Sequence, residues 1–436
     1  MPLTPGASGS DPAEAVRASR RSGCPPTERW ILWALVAVFV GLGLVYALVT
    51  PVMHAPDEND HLMYVFYLHQ FPTLPTISPP GGDGIGQGHQ PPLYYLLLLA
   101  VYELFGPPVD APGALETTYR LLRVTSLLLL GVPFVLLTGL LCRQLTPGDG
   151  AVQLLTLAAA SLLPMFLHLA ASLANGVMAS ALCAALLVAA VSAMRAPSLP
   201  LYRHYVHGIL LGLALVAKLT AAPVVAVCGA VLLWAAWRSR RRPAAVLAVT
   251  GTALLVCGPW FLRCWMVYGD PLTVSAFMDS FRRLPPDLPR GLQLHHALPL
   301  WQHVIGVFGF RQDRMFPDWV YWSTLVICLG AFMCGPVLAR LRGLRLAPLP
   351  ARTSWLLGAA VAATLLFFYL SQRSLVNLQI RYAFVVLPVL AFGFARGALA
   401  PWRGQARRIV AAALSLLMLG LAVWGAFLVG APPGAA

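Results

Sequence analysis

The run WILWALVAVFVGLGLVYALVT, residues 30–50, carries no charge and is long enough to cross a hydrocarbon core. It does not stand alone. Apolar stretches bounded by turn or charge signals recur near 91–105, 120–142, 151–171, 173–194, 205–217, 219–237, 244–263, 319–338, 353–371, 381–395 and 409–430, making twelve in all. Within lipid a helix satisfies its own backbone hydrogen bonds, so this pattern predicts an all-α, polytopic membrane helix bundle. Composition agrees: of 436 residues 58% are hydrophobic and 11% charged, and the mean hydropathy is +0.74. Residues 1–29, rich in Pro, Ser, Gly and Arg, read as a disordered cytoplasmic tail, 30–430 as the membrane domain and 431–436 as a short tail.

The net charge of +14 arises from 30 basic and 16 acidic residues and serves first as a topology signal. Arginines cluster at 17–21, 238–242, 340–345 and 395–408, each beside an apolar span, as cytoplasmic ends require; nucleic acid is excluded as a partner. A chain that starts inside and ends outside crosses an odd number of times. Eleven crossings follow if 91–105 lies in the interface or re-enters, and thirteen if 151–194 hides an extra span. Both readings put two long polar segments, outer loop one at 51–90 and outer loop two at 264–318, on the non-cytoplasmic face. Seven acidic residues fall between Asp57 and Glu116, five between Asp270 and Asp318, and none later, which points to a shared site there. The eight cysteines form no C-x-x-C pair and read as structural filler.

The densest polarity is HAPDENDHLMY, residues 54–64, directly after the first span. Asp57 and His61, at i and i+4, share a helix face, and a carboxylate beside an apolar surface is placed to act as a general base. Asp57 reads equally well as a helix N-cap following Pro56. Downstream, GHQPPLYY (88–95) aims His89 and Gln90 at the same rim and sets Tyr94 and Tyr95 at headgroup level. His54, His61 and His89 lack any spacing diagnostic of a metal site. Lys218 is the only lysine in the chain; at the junction of two apolar runs it is either functional or a snorkelling interface residue. Arg263, Tyr268 and Asp270 open outer loop two, Arg311 lies within it, and Gln379, Arg381 and Tyr382 fall on the same face. Arginines there run against the positive-inside bias, and either a phosphate ligand or anionic headgroups explain them.

In chain order these pieces resemble the GT-C class of integral-membrane glycosyltransferases, in particular the relatives of protein O-mannosyltransferases and bacterial lipid A aminoarabinose transferases. The resemblance rests on Asp57, Glu58 and His61 after the first span, H-Q-P-P-L-Y-Y from His89, and G-L-A-L-x-x-K-x-T from Gly212. P-W-F-L-R-x-W with Y-G-D-P from Pro259, and Q-x-R-Y from Gln379, complete it. It implies a polyprenyl-phosphate sugar donor and a catalytic role for Asp57, supported by Glu58. Lys218, Arg263 and Arg381 would hold the donor phosphate, and His61, His89, Gln90, Tyr94, Tyr268, Asp270, Arg311, Gln379 and Tyr382 would line the substrate site. Two departures bear on the donor: Asn175-Gly176 lacks the acid of the usual Asn-Asp turn, and Cys264 replaces the amide of W-x-x-R-N. Both fit a monophosphate donor, since Lys and Arg neutralise a single phosphate. No cofactor is required, and a divalent cation is not favoured.

The expected partners are the donor, the lipid bilayer and a lipid-linked, glycan or protein acceptor, in a bacterial plasma membrane with the site on the periplasmic or extracellular face. An envelope polysaccharide polymerase, ligase or flippase, or a diverged member without activity, is the alternative. A secondary transporter would place charges at mid-bilayer, whereas these sit at span ends.

Overall fold

A computed structural model describes residues 26–77, 85–108, 110–196, 198–280, 291–309, 313–344, 347–372 and 380–431. Each of the twelve apolar runs is helical. Helix α1 (Pro26–Val49) starts within the stretch expected to be tail, and α2 (Glu58–Gln70) and α3 (Leu93–Phe105) follow. Then come α4 (Ala114–Ser126) and α5 (Val132–Leu145), which a π turn at Leu127–Gly131 joins into one long rod. Next are α6 (Gly150–Ser161), α7 (Pro164–Ala170), α8 (Asn175–Arg195), α9 (Leu201–Ala217), α10 (Ala222–Trp237) and α11 (Arg242–Tyr268). The chain continues through α12 (Val274–Ser280), α13 (Ala297–Ile305) and a two-residue hairpin, β1 (Val307–Phe308) with antiparallel β2 (Arg314–Met315). Helices α14 (Asp318–Leu329), α15 (Gly335–Leu341), α16 (Ala351–Ser371), α17 (Leu387–Leu399) and α18 (Gly404–Gly430) close the bundle.

Among the described residues nine helices are long and apolar enough to cross a membrane; the pair α6 and α7, bent by 61°, makes a tenth. The protein is an integral membrane protein. Pro164 at the start of α7 forces that bend, because its missing N–H and its ring exclude a continuous helix through Leu163. Helix α9, with 17 residues, is shorter than the spans, yet it runs from the Arg195 end of α8 back to its Asn175 end. Its Gly208 and Gly212 face α11, where a Cβ at Gly208 would collide with Thr252 Oγ1 and the Val249 carbonyl. The two backbones approach because those positions lack side chains.

One expected boundary moves. Helix α11 extends through Tyr268, so outer loop two begins at Gly269 rather than at residue 264. The stretch expected as outer loop one contains a helix, α2. Tyr94 and Tyr95, expected at headgroup level, are fully buried. Tyr95 stacks on Tyr64 with centroids 3.7 Å apart, and Tyr94 Oη lies 2.9 Å from Ser126 Oγ, so the first turn of α3 is a packing surface between α2 and α4.

Candidate functional site

One cavity gathers residues from five segments of the chain. It is walled by Asp57 and His61 from loop one, Phe166 and Leu169 from α7, Asn175 to Val177 and Ser180 from α8, Lys218 and Thr220 from the α9–α10 junction, and Arg381, Tyr382, Phe384 and Val385 ahead of α17. Every one of these segments is a helix end or a junction between helices. The polar groups sit where helix ends leave backbone groups unpaired and the bundle opens.

Asp57 occupies the N-cap position of α2, but its side chain makes no capping bond. Its backbone is left-handed, φ 60° and ψ 5°, which costs a non-glycine residue about 1–3 kcal/mol and clusters at functional sites. Instead of capping, the carboxylate accepts a 2.5 Å hydrogen bond from Arg381 Nη2. Burial pushes the Asp57 carboxyl up, but Arg381, with His61 and Lys218, outweighs burial and holds it below the usual carboxylate range. The sequence left base and cap as alternatives; the geometry is not that of a side-chain cap.

His61, one turn along α2, places Nδ1 2.8 Å from the Tyr95 hydroxyl. Burial, reinforced by the charge on Lys218, pulls its imidazole down to about 3, so it is neutral at ordinary pH.

A continuous hydrogen-bond chain stands behind Lys218. Its Nζ donates to Asn175 Oδ1 at 2.7 Å, Asn175 Nδ2 donates to Gln90 Oε1 at 3.1 Å, and Gln90 Nε2 faces His89 Nε2 at 2.8 Å. His89 Nδ1 in turn lies 3.2 Å from the Gly86 carbonyl, which assigns the proton to Nδ1 and leaves Nε2 to accept from Gln90. Burial pulls His89 down to about 4, consistent with that neutral form. All four bonds run in one sense, so each polarises the next, and the chain fixes the ammonium at the cavity. On its other side the ammonium lies 5.4 Å from the Tyr382 ring centroid.

Glu58, next to Asp57, is turned away from the cavity and fully buried. Both its oxygens bind Arg123, at 2.8 Å from Nε and 2.7 Å from Nη2, and Oε1 also accepts from the Leu173 backbone N–H at 3.2 Å. Arg123 donates further to the carbonyls of Ala47, Thr50 and Pro51. This cluster ties the end of α1 to α2, to α4 and to the turn before α8. It thereby positions Asp57 on one wall of the cavity and Asn175 on the other.

Other expected site residues lie apart. Arg263 does not line the cavity: Nη2 donates to the carbonyls of Leu74 and Pro75, both at 2.9 Å, while the guanidinium sits 5.3 Å from the Trp260 centroid. Tyr268 accepts from the Ile77 N–H at 3.1 Å, so these two residues clamp loop one. Asp270 closes its own turn by accepting from the backbone N–H groups of Leu272 and Ser275. Arg311 and Gln379 lie outside the described residues. Among those described, no three His, Cys, Asp or Glu side chains gather as a metal site. Sequence reasoning missed Arg123, whose only signal is a second arginine early in an apolar span. It also treated Asn175 as a departure, although Asn175 is the partner of Lys218.

No protein-family model and no curated sequence matches the chain. Among solved structures it is similar to ArnT from Cupriavidus metallidurans bound to undecaprenyl phosphate, at 15% identity and a TM-score of 0.55, covering 91% of this chain and 75% of that one. The apo state of ArnT superposes with a TM-score of 0.53 at the same identity and coverage. The fold is therefore GT-C-like.

Proposed function

We propose that this protein is a membrane glycosyltransferase that moves a sugar from a polyprenyl-phosphate donor to a hydroxyl acceptor. The acceptor is lipid-linked, a glycan or a protein, and the site faces the periplasm or exterior of a bacterial plasma membrane. Counting α9 as a crossing gives eleven, the odd number that the charge distribution requires. The observation that carries the reading is the meeting of one carboxylate with two cations, Asp57 with Arg381 and Lys218, in a cavity at the bundle's end. The GT-C-like fold supports it, and the structural neighbour ArnT was solved with a lipid phosphate bound.

Asp57 is the general base for the acceptor hydroxyl, while Lys218 and Arg381 hold the donor phosphate and stabilise the charge it gains on leaving. Arg263 serves the loop instead, so the phosphate rests on two cations rather than the three implied by sequence resemblance. Glu58 supports Asp57 through the backbone and does not touch substrate. Thr220, on the cavity wall, offers a hydroxyl to the sugar.

The test is label transfer. Reconstituted protein is incubated with radiolabelled polyprenyl-phosphate sugars and envelope extract, wild type beside Asp57→Asn. Transfer by wild type that falls at least a hundredfold in the variant is expected. Equal transfer by both removes Asp57 from the chemistry, and movement of lipid-linked glycan across vesicles without new glycosidic bonds would favour a flippase.

A further inference from the structure

We infer that Arg381 is shared between the base and the leaving phosphate, so that taking up donor and raising the proton affinity of Asp57 are one coupled event. This rests on the proposed function and adds to it an order of events within the same cavity. The Asp57 carboxylate is bound to Arg381 Nη2 at 2.5 Å, and a carboxylate so paired is a poor base. The Arg381 side chain is 9% exposed and Asp57 44%, so the guanidinium sits deeper and the carboxylate nearer the mouth.

The groups facing Asp57 come from three elements. Arg381 approaches from the segment before α17 and Lys218 from the α9–α10 junction; His61, on α2 itself, is neutral. Asp60, also on α2, approaches Gly86 and does not line the cavity. Among the described residues that line the cavity, with Asp57 ionised, two cations and one anion leave one positive charge in excess. A phosphodiester donor carries one negative charge and balances it.

Bonding changes then keep the sum constant. The bond from the anomeric carbon to the phosphate oxygen breaks with its electron pair going to phosphate, which changes from a monoanionic diester to a dianionic monoester. The acceptor oxygen bonds to the anomeric carbon, and its proton passes to Asp57. As Asp57 becomes neutral its hold on Arg381 lapses, and the guanidinium turns to the oxygen that has just gained charge. An enzyme holding no donor keeps its base tied to Arg381, which disfavours futile activation of water.

The coupling is read as proton uptake. The probe is the methyl ester of a polyprenyl phosphate, a diester that does not itself titrate between about pH 4 and 7. Its binding to the purified protein is followed by calorimetry in buffers of different ionisation enthalpy. Wild type is expected to take up a proton fraction on binding that grows as pH falls toward about 4, the range of an unperturbed carboxylate. Asp57→Asn is expected to bind without uptake, and Arg381→Gln to take up less than half as much as wild type. Arg381→Lys, which keeps the charge, is expected to fall between and guards against a folding defect. Uptake undiminished in Arg381→Gln, or absent in a wild type that binds, overturns the coupling and leaves the transferase reading standing. No binding by wild type removes both.

Discussion

Asp57 and Glu58 are neighbours in sequence, and each is paired with an arginine, yet the two pairs belong to different worlds. Glu58 and Arg123 are 0% and 1% exposed, bidentate, and saturated by three carbonyls and a backbone N–H. Asp57 and Arg381 meet through a hydrogen bond at the wall of an open cavity. One residue of backbone separates a closed lock from an open site. The left-handed φ of Asp57 is what directs consecutive side chains to these two environments. Saturation makes a buried pair structural, because nothing remains to bind a ligand, whereas a pair that lines a cavity is within reach of one.

The contrast breaks most severely at the lock. Arg123→Met leaves Glu58 buried without its cation, at about 3–5 kcal/mol, so folded protein recovered in detergent should fall sharply. Arg123→Met with Glu58→Leu should recover much of that loss, and a double variant no better than the single one would show that the carbonyl contacts dominate. At the open site the effect moves from stability to rate. Asp57→Asn is expected to lower transfer by about 10²–10⁴-fold while shifting the melting temperature by no more than a few degrees, since Asn tolerates the left-handed backbone.

Lys218→Met removes one of the two phosphate cations and should lower transfer by about 10²-fold, through loss of charge stabilisation. Gln90→Leu, which cuts the chain behind the ammonium without removing it, should have a smaller effect in the same direction. If Gln90→Leu matches Lys218→Met, the chain rather than the charge is what counts.

Acid pH separates the regions more gently. His61, down at about 3, and His89, down at about 4, stay neutral in the native state while the unfolded chain protonates near about 6.5. The unfolded state then binds more protons, so stability is level above about 6.5 and declines as pH falls toward about 4. Asp57, held low, adds a stabilising contribution present above the unfolded carboxylate value and lost as pH drops through its own lower value. Melting curves in detergent at pH 7.5 and 5 check this; His61→Gln should flatten the slope. Smallest of all, Arg263→Ala should loosen loop one by about 1–3 kcal/mol at most and leave donor affinity within a fewfold, as its carbonyl contacts lie outside the cavity.

Much of this was legible in the chain because its causes are local. Long uncharged runs must be helical in lipid, which is why every apolar run appears as a helix. Asp57, His61, Lys218, Arg381 and Tyr382 stood out because polarity amid apolar sequence is costly and demands a reason. They meet in one cavity. Arg263 drew the same attention, yet a carbonyl of loop one at Leu74 answers it nearly two hundred residues away in sequence, and no local pattern encodes that. Tyr94 and Tyr95 misled because an aromatic pair at a span end looks alike whether it meets headgroups or another helix.

The sequence by itself determined the class of fold and the side chains that require explanation, because hydrophobic length and isolated charge act residue by residue. Only the tertiary structure decided which acid meets which base. Asp57 and Glu58 differ by one position, and the partners at Arg381 and Arg123 are chosen by how distant helix ends converge. A pairing energy depends on distance and burial, and neither exists until the chain has folded.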